Sequence, residues 1–271
     1  DIRFAEQFVK PPGDLLTLET KSQIQQDKIS IQEAVVKLGN IKLSSQGDIQ
    51  AGEKTDLSMK INAEKIALDT LKKYVPQLES FQPGGTVSID ATVQNQLKKP
   101  SIQGQLVLND VQVQHKQLPK PVNQLNGTVQ FEGNQAKIPD GKFKVGESDF
   151  TLIATADSYR PLDMVFQVQS SQLHLKDVVK NLKQNQQDDF LNNVEVDGNL
   201  RQKEDEMAFN AKVQSPEGTI YGLGYQNMSG DLIYDQGVFE VKDLKVNTLN
   251  GQVTTQARYN IKQDPSSADL S

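Results

Sequence analysis

The residues able to do chemistry in this chain are few. Two histidines, His115 and His174, are the only imidazoles in 271 residues, and there is no Cys. Thiolate zinc ligation, thiol catalysis and a disulfide framework are therefore excluded. His115 stands in QVQHKQL among polar neighbours. His174 alternates with Leu173 and Leu175, which turns it to the polar face of a strand. Neither has a second histidine or a set of acids at metal-ligand spacing. Serine chemistry would need a Gly-x-Ser-x-Gly elbow, and none is present. Gly84-Gly85 and Gly222-Leu223-Gly224 lack the strand-to-helix setting and the Lys-Ser/Thr pair of a phosphate loop, so they read as turns. Asp188-Asp189 and the run Lys203 to Glu206 fall in connectors or hairpin tips, where a solvated turn is the simpler reading than an acid/base pair. The expectation is a non-enzyme with no metal and no cofactor.

Composition narrows the partners. Lys+Arg 29 against Asp+Glu 35 gives a net charge of −6, which disfavours nucleic acid, because phosphate neutralisation needs a basic stripe. Hydrophobic residues make up 36% and the mean hydropathy is −0.55, so the core is limited. No apolar run approaches the roughly 18 residues of a membrane-spanning helix. The chain begins at Asp1 with no visible signal peptide, and the expectation is a piece of a longer protein.

Pattern carries more information than motif here. Leu125, Gly127, Val129 and Phe131 return as Met228, Gly230, Leu232 and Tyr234, and Val145 and Leu152 return as Val246 and Val253. Val87 and Ile89 return as Val194 and Val196, while Leu38, Met59 and Leu68 precede Val145, Phe166 and Leu175 by the same offset. The spacing is a repeat of roughly 105 residues. It partitions the chain into a partial first repeat (1–83), a central repeat (84–190) and a partial third repeat (191–271). Within each, apolar and polar residues alternate in short runs such as TVSIDATV at 86–93, about ten residues apart, as in an antiparallel meander. Two short helices are expected, over 69–78 with Asp69 as cap and over 176–182 with Asp177 as cap. Polar connectors are expected at 78–85 and 184–189. The fold class is therefore all-β: an extended antiparallel meander with one short helix per repeat.

Such a sheet must cover its apolar face. Two short helices cannot cover it, so the sheet either closes on itself over a dry core or curls into an apolar groove. The inward row consists of Val87, Ile89, Val93, Leu106, Leu108, Val129, Phe131, Val145, Phe150, Leu152, Phe166, Val168, Val194, Val196, Leu200, Val213, Leu232, Tyr234 and Val253.

The segment 100–152 carries Pro100, Gly104 and Leu106, then Leu118, Pro119, Pro121, Val122, Leu125, Gly127, Val129 and Phe131; Gly218, Tyr221 and Gly222 repeat part of it. This arrangement resembles the C-terminal region of AsmA-like proteins. Those are envelope proteins of Gram-negative-type bacteria, held by an N-terminal membrane helix and similar to the repeating β-groove lipid-transfer proteins. The resemblance implies a segment on the periplasmic side of a bacterial inner membrane. It also implies that the inward row lines a groove for acyl chains of phospholipid, with a part in lipid transport and outer-membrane assembly and with envelope proteins as further partners. The alternative is a non-transporting scaffold or protein-interaction segment with a closed dry core, and an enzyme acting on envelope glycans stands third.

Overall fold

Alternation of apolar and polar side chains favours strands, and the computed structural model is built almost wholly of them. The structure describes residues 2–4, 8–52, 55–96, 100–114, 119–159, 161–180, 182–203, 206–248, 251–260 and 268–270. A small hairpin, β1 (Ile2–Phe4) with β2 (Phe8–Lys10), comes first. The strands β3 (Leu16–Gln25), β4 (Lys28–Leu38), β5 (Ile41–Gln50) and β6 (Asp56–Ala67) lead to helix α1 (Leu68–Leu71). Then follow β7 (Gly84–Gln96), β8 (Ser101–Val113), β9 (Val122–Gly133), β10 (Gln135–Val145), β11 (Ser148–Tyr159) and β12 (Leu162–His174), which ends in helix α2 (Leu175–Val178). The chain continues through β13 (Phe190–Lys203), β14 (Glu206–Ile220), β15 (Leu223–Asp235), β16 (Val238–Thr248), β17 (Gly251–Asn260) and β18 (Ala268–Leu270). Within each of the chain's two compact units the strands stand in the sheet in the order of the sequence, with antiparallel pairing. The all-β antiparallel meander expected from alternation is what forms.

The helices are shorter than the periodicity suggests. Instead of 69–78 and 176–182, each is a single turn, at Leu68–Leu71 and Leu175–Val178, without a side-chain cap. Pro76 lacks the N–H that a continuing helix needs, and the chain tightens there into a 3-10 turn, Pro76–Phe81. A second 3-10 turn, Gln184–Gln186, occupies the other expected connector. The chain folds as two compact units, Asp1–Lys116 with Val122–Ala136, and Gln117–Pro121 with Lys137–Ser271.

Register shows how each unit sorts its side chains, because directly opposed residues share a face. In the first unit Leu38 faces Leu16 and Ile41, Ile29 faces Ile24 and Ile49, and Met59 faces Val93. The opposite face carries exposed cross-strand ion pairs such as Lys28–Asp48 at 3.0 Å and Lys60–Asp90 at 3.5 Å. Pairs of this kind contribute less than about 1 kcal/mol each, so they set register more than stability.

Period-two alternation would send residues three apart to opposite faces, yet Ala63 and Ile66 pack in one core, as do Leu108 and Val111. Register shifts lie between the members of both pairs, and Lys65 (φ 51°) and Asp110 (φ 47°) take the extra, left-handed place. Asn227 (φ 56°) and Asp243 (φ 49°) stand at matching shifts in β15 and β16. Each bulge resets the alternation so that the apolar row continues on the same face.

Candidate functional site

The candidate site is the apolar face of each unit together with its packed end. In the first unit Val87 faces Leu108, and Ile89 faces Leu106, which in turn faces Val129. Val93 faces Ile102, and Phe131 faces Gly104. In the second unit one row runs Leu152, Val168, Val196, Val213 across four strands. A parallel row runs from Leu200 through Phe209 to Tyr234. Phe166 faces Gly198, Leu232 faces Ala211, Val194 faces Ser170, and Val253 faces Val246. Phe150 stacks on Phe143 with centroids 4.9 Å apart, and Phe143 stands on β10 two residues before the buried Val145. The predicted row thus falls on the apolar face of its own unit. Val87, Val145 and Val194 are buried, Val253 is 51% exposed, and the others are half-buried. The sequence reading missed Met59, Ile61, Ile102, Phe209, Phe239 and Tyr259, which share these rows. Their alternation was present in the sequence.

One end of each face is packed. In the first unit Leu38, Ile41, Ala63, Ile66, Tyr74, Val87 and Val111 form a core, with Leu68 and Leu71 of α1 against it. In the second, Leu191, Val194, Tyr225 and Met228 form a core, with Leu175 of α2 against it. Burial pushes the Tyr74 phenol above its ordinary pKa, and a hydrogen bond with Asp14 adds to the shift. Burial likewise raises Tyr225, against a lowering hydrogen bond with Ser215 at 2.5 Å.

The second packed end also contains a buried carboxylate. Asp177, expected as a helix cap, is fully buried and reaches across to the β10–β11 turn. Its Oδ2 accepts the Glu147 N–H at 2.8 Å, the Ser148 N–H at 3.1 Å and the Ser148 hydroxyl at 2.9 Å. The Lys120 ammonium stands 3.1 Å from Oδ1 as an ion pair without hydrogen-bond alignment. Burial alone would raise the pKa of this acid, but Lys120, Ser148 and the Glu147 N–H outweigh it and hold the carboxyl below the usual range. Lys176 pairs with Glu147 at 2.9 Å on the surface beside it. Asp189, read as a connector acid, is also buried, and it accepts the N–H groups of Tyr221 (2.7 Å) and Gly222 (2.9 Å) in the β14–β15 turn.

Ser148, His174 and Asp177 gather the residue types of a hydrolytic triad without its wiring. The Ser148 hydroxyl donates to Asp177 and accepts the His174 backbone N–H at 2.9 Å, and Ser148 is completely buried. The imidazole instead faces Glu147, with Nε2 4.0 Å from Oε2. A triad needs the imidazole on the serine oxygen. The arrangement ties α2 to a hairpin.

Among the described residues no group of three His, Cys, Asp or Glu could hold a metal ion, and no helix is long and apolar enough to cross a membrane. His115, Leu118, Glu204 and Asp205 lie outside the described residues. Two open clefts are lined mainly by polar residues. One of about 640 Å³ is lined by Tyr225, Asn247, Thr248 and Gln252, and one of about 420 Å³ on the polar face by Gln32, Glu33, Ser44 and Lys60. No family model, curated protein or solved structure matches this chain.

Proposed function

We propose that the apolar face of each unit receives the acyl chains of phospholipid. In this reading the chain is a segment of an AsmA-like, apolar-groove protein on the periplasmic side of a bacterial inner membrane, acting in lipid transport and outer-membrane assembly. One observation carries the reading. In each unit the apolar row continues from strand to strand, while the packed core and the one-turn helix occupy only one end of it. The rest of the row is half-buried, as at Val93, Ile102, Phe166 and Leu232. The placement of the helices supports the repeat: α1 follows β6 and α2 follows β12, so a helix returns after six further strands, at the spacing of about 105 residues read from the sequence.

The test is a charge placed mid-row. In an open groove the carboxylate of Phe131→Asp or Val168→Asp reaches water, so stability falls by about 1–2 kcal/mol, and bound lipid is lost because its chains meet an ion. In a closed dry core the same unpaired charge unfolds the protein. Native mass spectrometry of the purified protein, with extraction of bound lipid, reads one effect and thermal melting the other. Lipid-free wild-type protein with both variants unfolded would reject the groove and leave the scaffold reading.

A further inference from the structure

We infer that the Tyr234 and Tyr259 hydroxyls select ester-linked glycerolipids, by donating hydrogen bonds to the ester carbonyls of a lipid whose chains lie along the second unit's apolar face. The inference rests on the acyl-chain reading above and adds the lipid's linkage chemistry and its orientation.

At the strand ends remote from α2, five opposed residues form a row: Leu200, Phe209, Tyr234, Phe239 and Tyr259. Phe209 stacks against Tyr234 with centroids 5.8 Å apart and tilts toward Phe239 at 6.2 Å. Tyr234 is half-buried and Tyr259 is 41% exposed. A tyrosine hydroxyl held against apolar surface needs an acceptor. The tyrosines of the packed ends have partners: Tyr74 has Asp14, and Tyr225 has Ser215. Tyr234 and Tyr259 have none among the described residues. They therefore present two unspent donors on an otherwise apolar row, two strands apart, or about 10 Å.

A diacyl glycerolipid is complementary to this row. Its ester carbonyls are strong acceptors at the junction between apolar chains and a wet headgroup, and the row lies at the strand ends, where the headgroup can reach water. From Tyr234 back to Met228 in the packed core, β15 rises about 20 Å, enough for the roughly 15 Å that an acyl chain spans in one leaflet. The chains would then pass Leu232 and Val213 toward α2. The corresponding strand ends of the first unit carry Val93, Ile102 and Phe131, which offer no donor.

The experiment competes equal amounts of dipalmitoyl phosphatidylglycerol and its dihexadecyl ether analogue, which lacks both carbonyls, for the delipidated 271-residue protein. Native mass spectrometry reads the bound ratio. Wild-type protein should favour the ester by about three- to tenfold, the effect of one or two net hydrogen bonds. The Tyr234→Phe/Tyr259→Phe double variant keeps both rings, and should bring the ratio to about one. Equal binding of the two lipids by wild type overturns the inference while leaving the acyl-chain reading intact. So does a preference that survives in the double variant, or a double variant that loses both lipids equally. Failure of wild type to take either lipid overturns both readings.

Discussion

The β4–β5 turn of the first unit carries Gly39 at φ 57°, and the β10–β11 turn of the second carries Gly146 at φ 59°. The two backbones match, and different chemistry lies over them. A Cβ built on Gly39 would stand 3.0 Å from the Tyr74 hydroxyl, whereas one built on Gly146 would overlap the Asp177 carboxylate. In the first unit an aromatic ring closes the end of the sheet by burying apolar surface. In the second a carboxylate does so by collecting hydrogen bonds from the turn itself. The two ends teach that the backbone requirement is for a side chain to cover the hairpin tip, and that apolar area and polar pairing can each meet it.

The largest effect should come from emptying the aromatic end. Tyr74→Ala removes a ring that is 2% exposed from a core that includes Leu38, Ile41 and Val111. Cavity formation of this kind costs about 3–5 kcal/mol. Urea unfolding followed by circular dichroism measures the loss. A cost under about 1 kcal/mol would show that α1 collapses to fill the space, and that the ring is not what closes this end.

Asp177→Ala should cost somewhat less, about 3 kcal/mol. It leaves two turn N–H groups and the Ser148 hydroxyl without their acceptor, and Lys120 without its partner. Lys120 is 40% exposed and recovers water, which places the cost at the low end for a broken buried pair. Thr70→Ala makes the comparison sharp. Thr70 holds the matching place before α1 ends, and among the described residues its side chain bonds only the exposed Asp69, at 3.3 Å. That substitution should stay within about 0.5 kcal/mol. Equal costs at the two sites would erase the distinction between the ends.

This distinction was not legible in the sequence, although the sheet was. Alternation at 86–93 and the return of Val87 as Val194 declare strands and a periodic row without any tertiary information, since both follow from the two-residue pleat. The bulges were hidden because Lys65, Asp110, Asn227 and Asp243 are ordinary polar residues whose left-handed backbone leaves no mark in composition. Asp177 was misread for a related reason. An acid at a helix start looks like a cap, and only the return of the β10–β11 turn in space gives its carboxylate three donors outside the helix. Tyr74 lies within the span read as helix, but its core role depends on strands β4, β6 and β7 converging on it.

The smallest effect is a pH dependence of opposite sign at the two ends. The folded pKa of Asp177 lies below the ordinary 3.8, so its contribution is complete above that value and is lost as pH falls through the lower folded one. Tyr74 is shifted up from 10.0, so its contribution is complete below pH 10 and is lost as pH rises through the higher folded value. Acid should therefore weaken the second unit's end and alkali the first's. Other groups share both limbs. Asp48 and Glu147 are also lowered, but they are exposed and solvent screens them. Tyr225 is raised by burial and adds to the alkaline side from the second unit. Single variants separate the contributions. In urea midpoints measured from about pH 3 to about pH 11, Asp177→Asn should flatten the acid limb and leave the alkaline one. Tyr74→Phe should reduce the alkaline limb by part of its depth, with Tyr225 and the Glu147-paired Lys176, both also raised, contributing to the remainder, and leave the acid limb alone. If both variants flattened the same limb, the two ends would be titrating as one network, and the contrast between an aromatic plug and a carboxylate plug would fail.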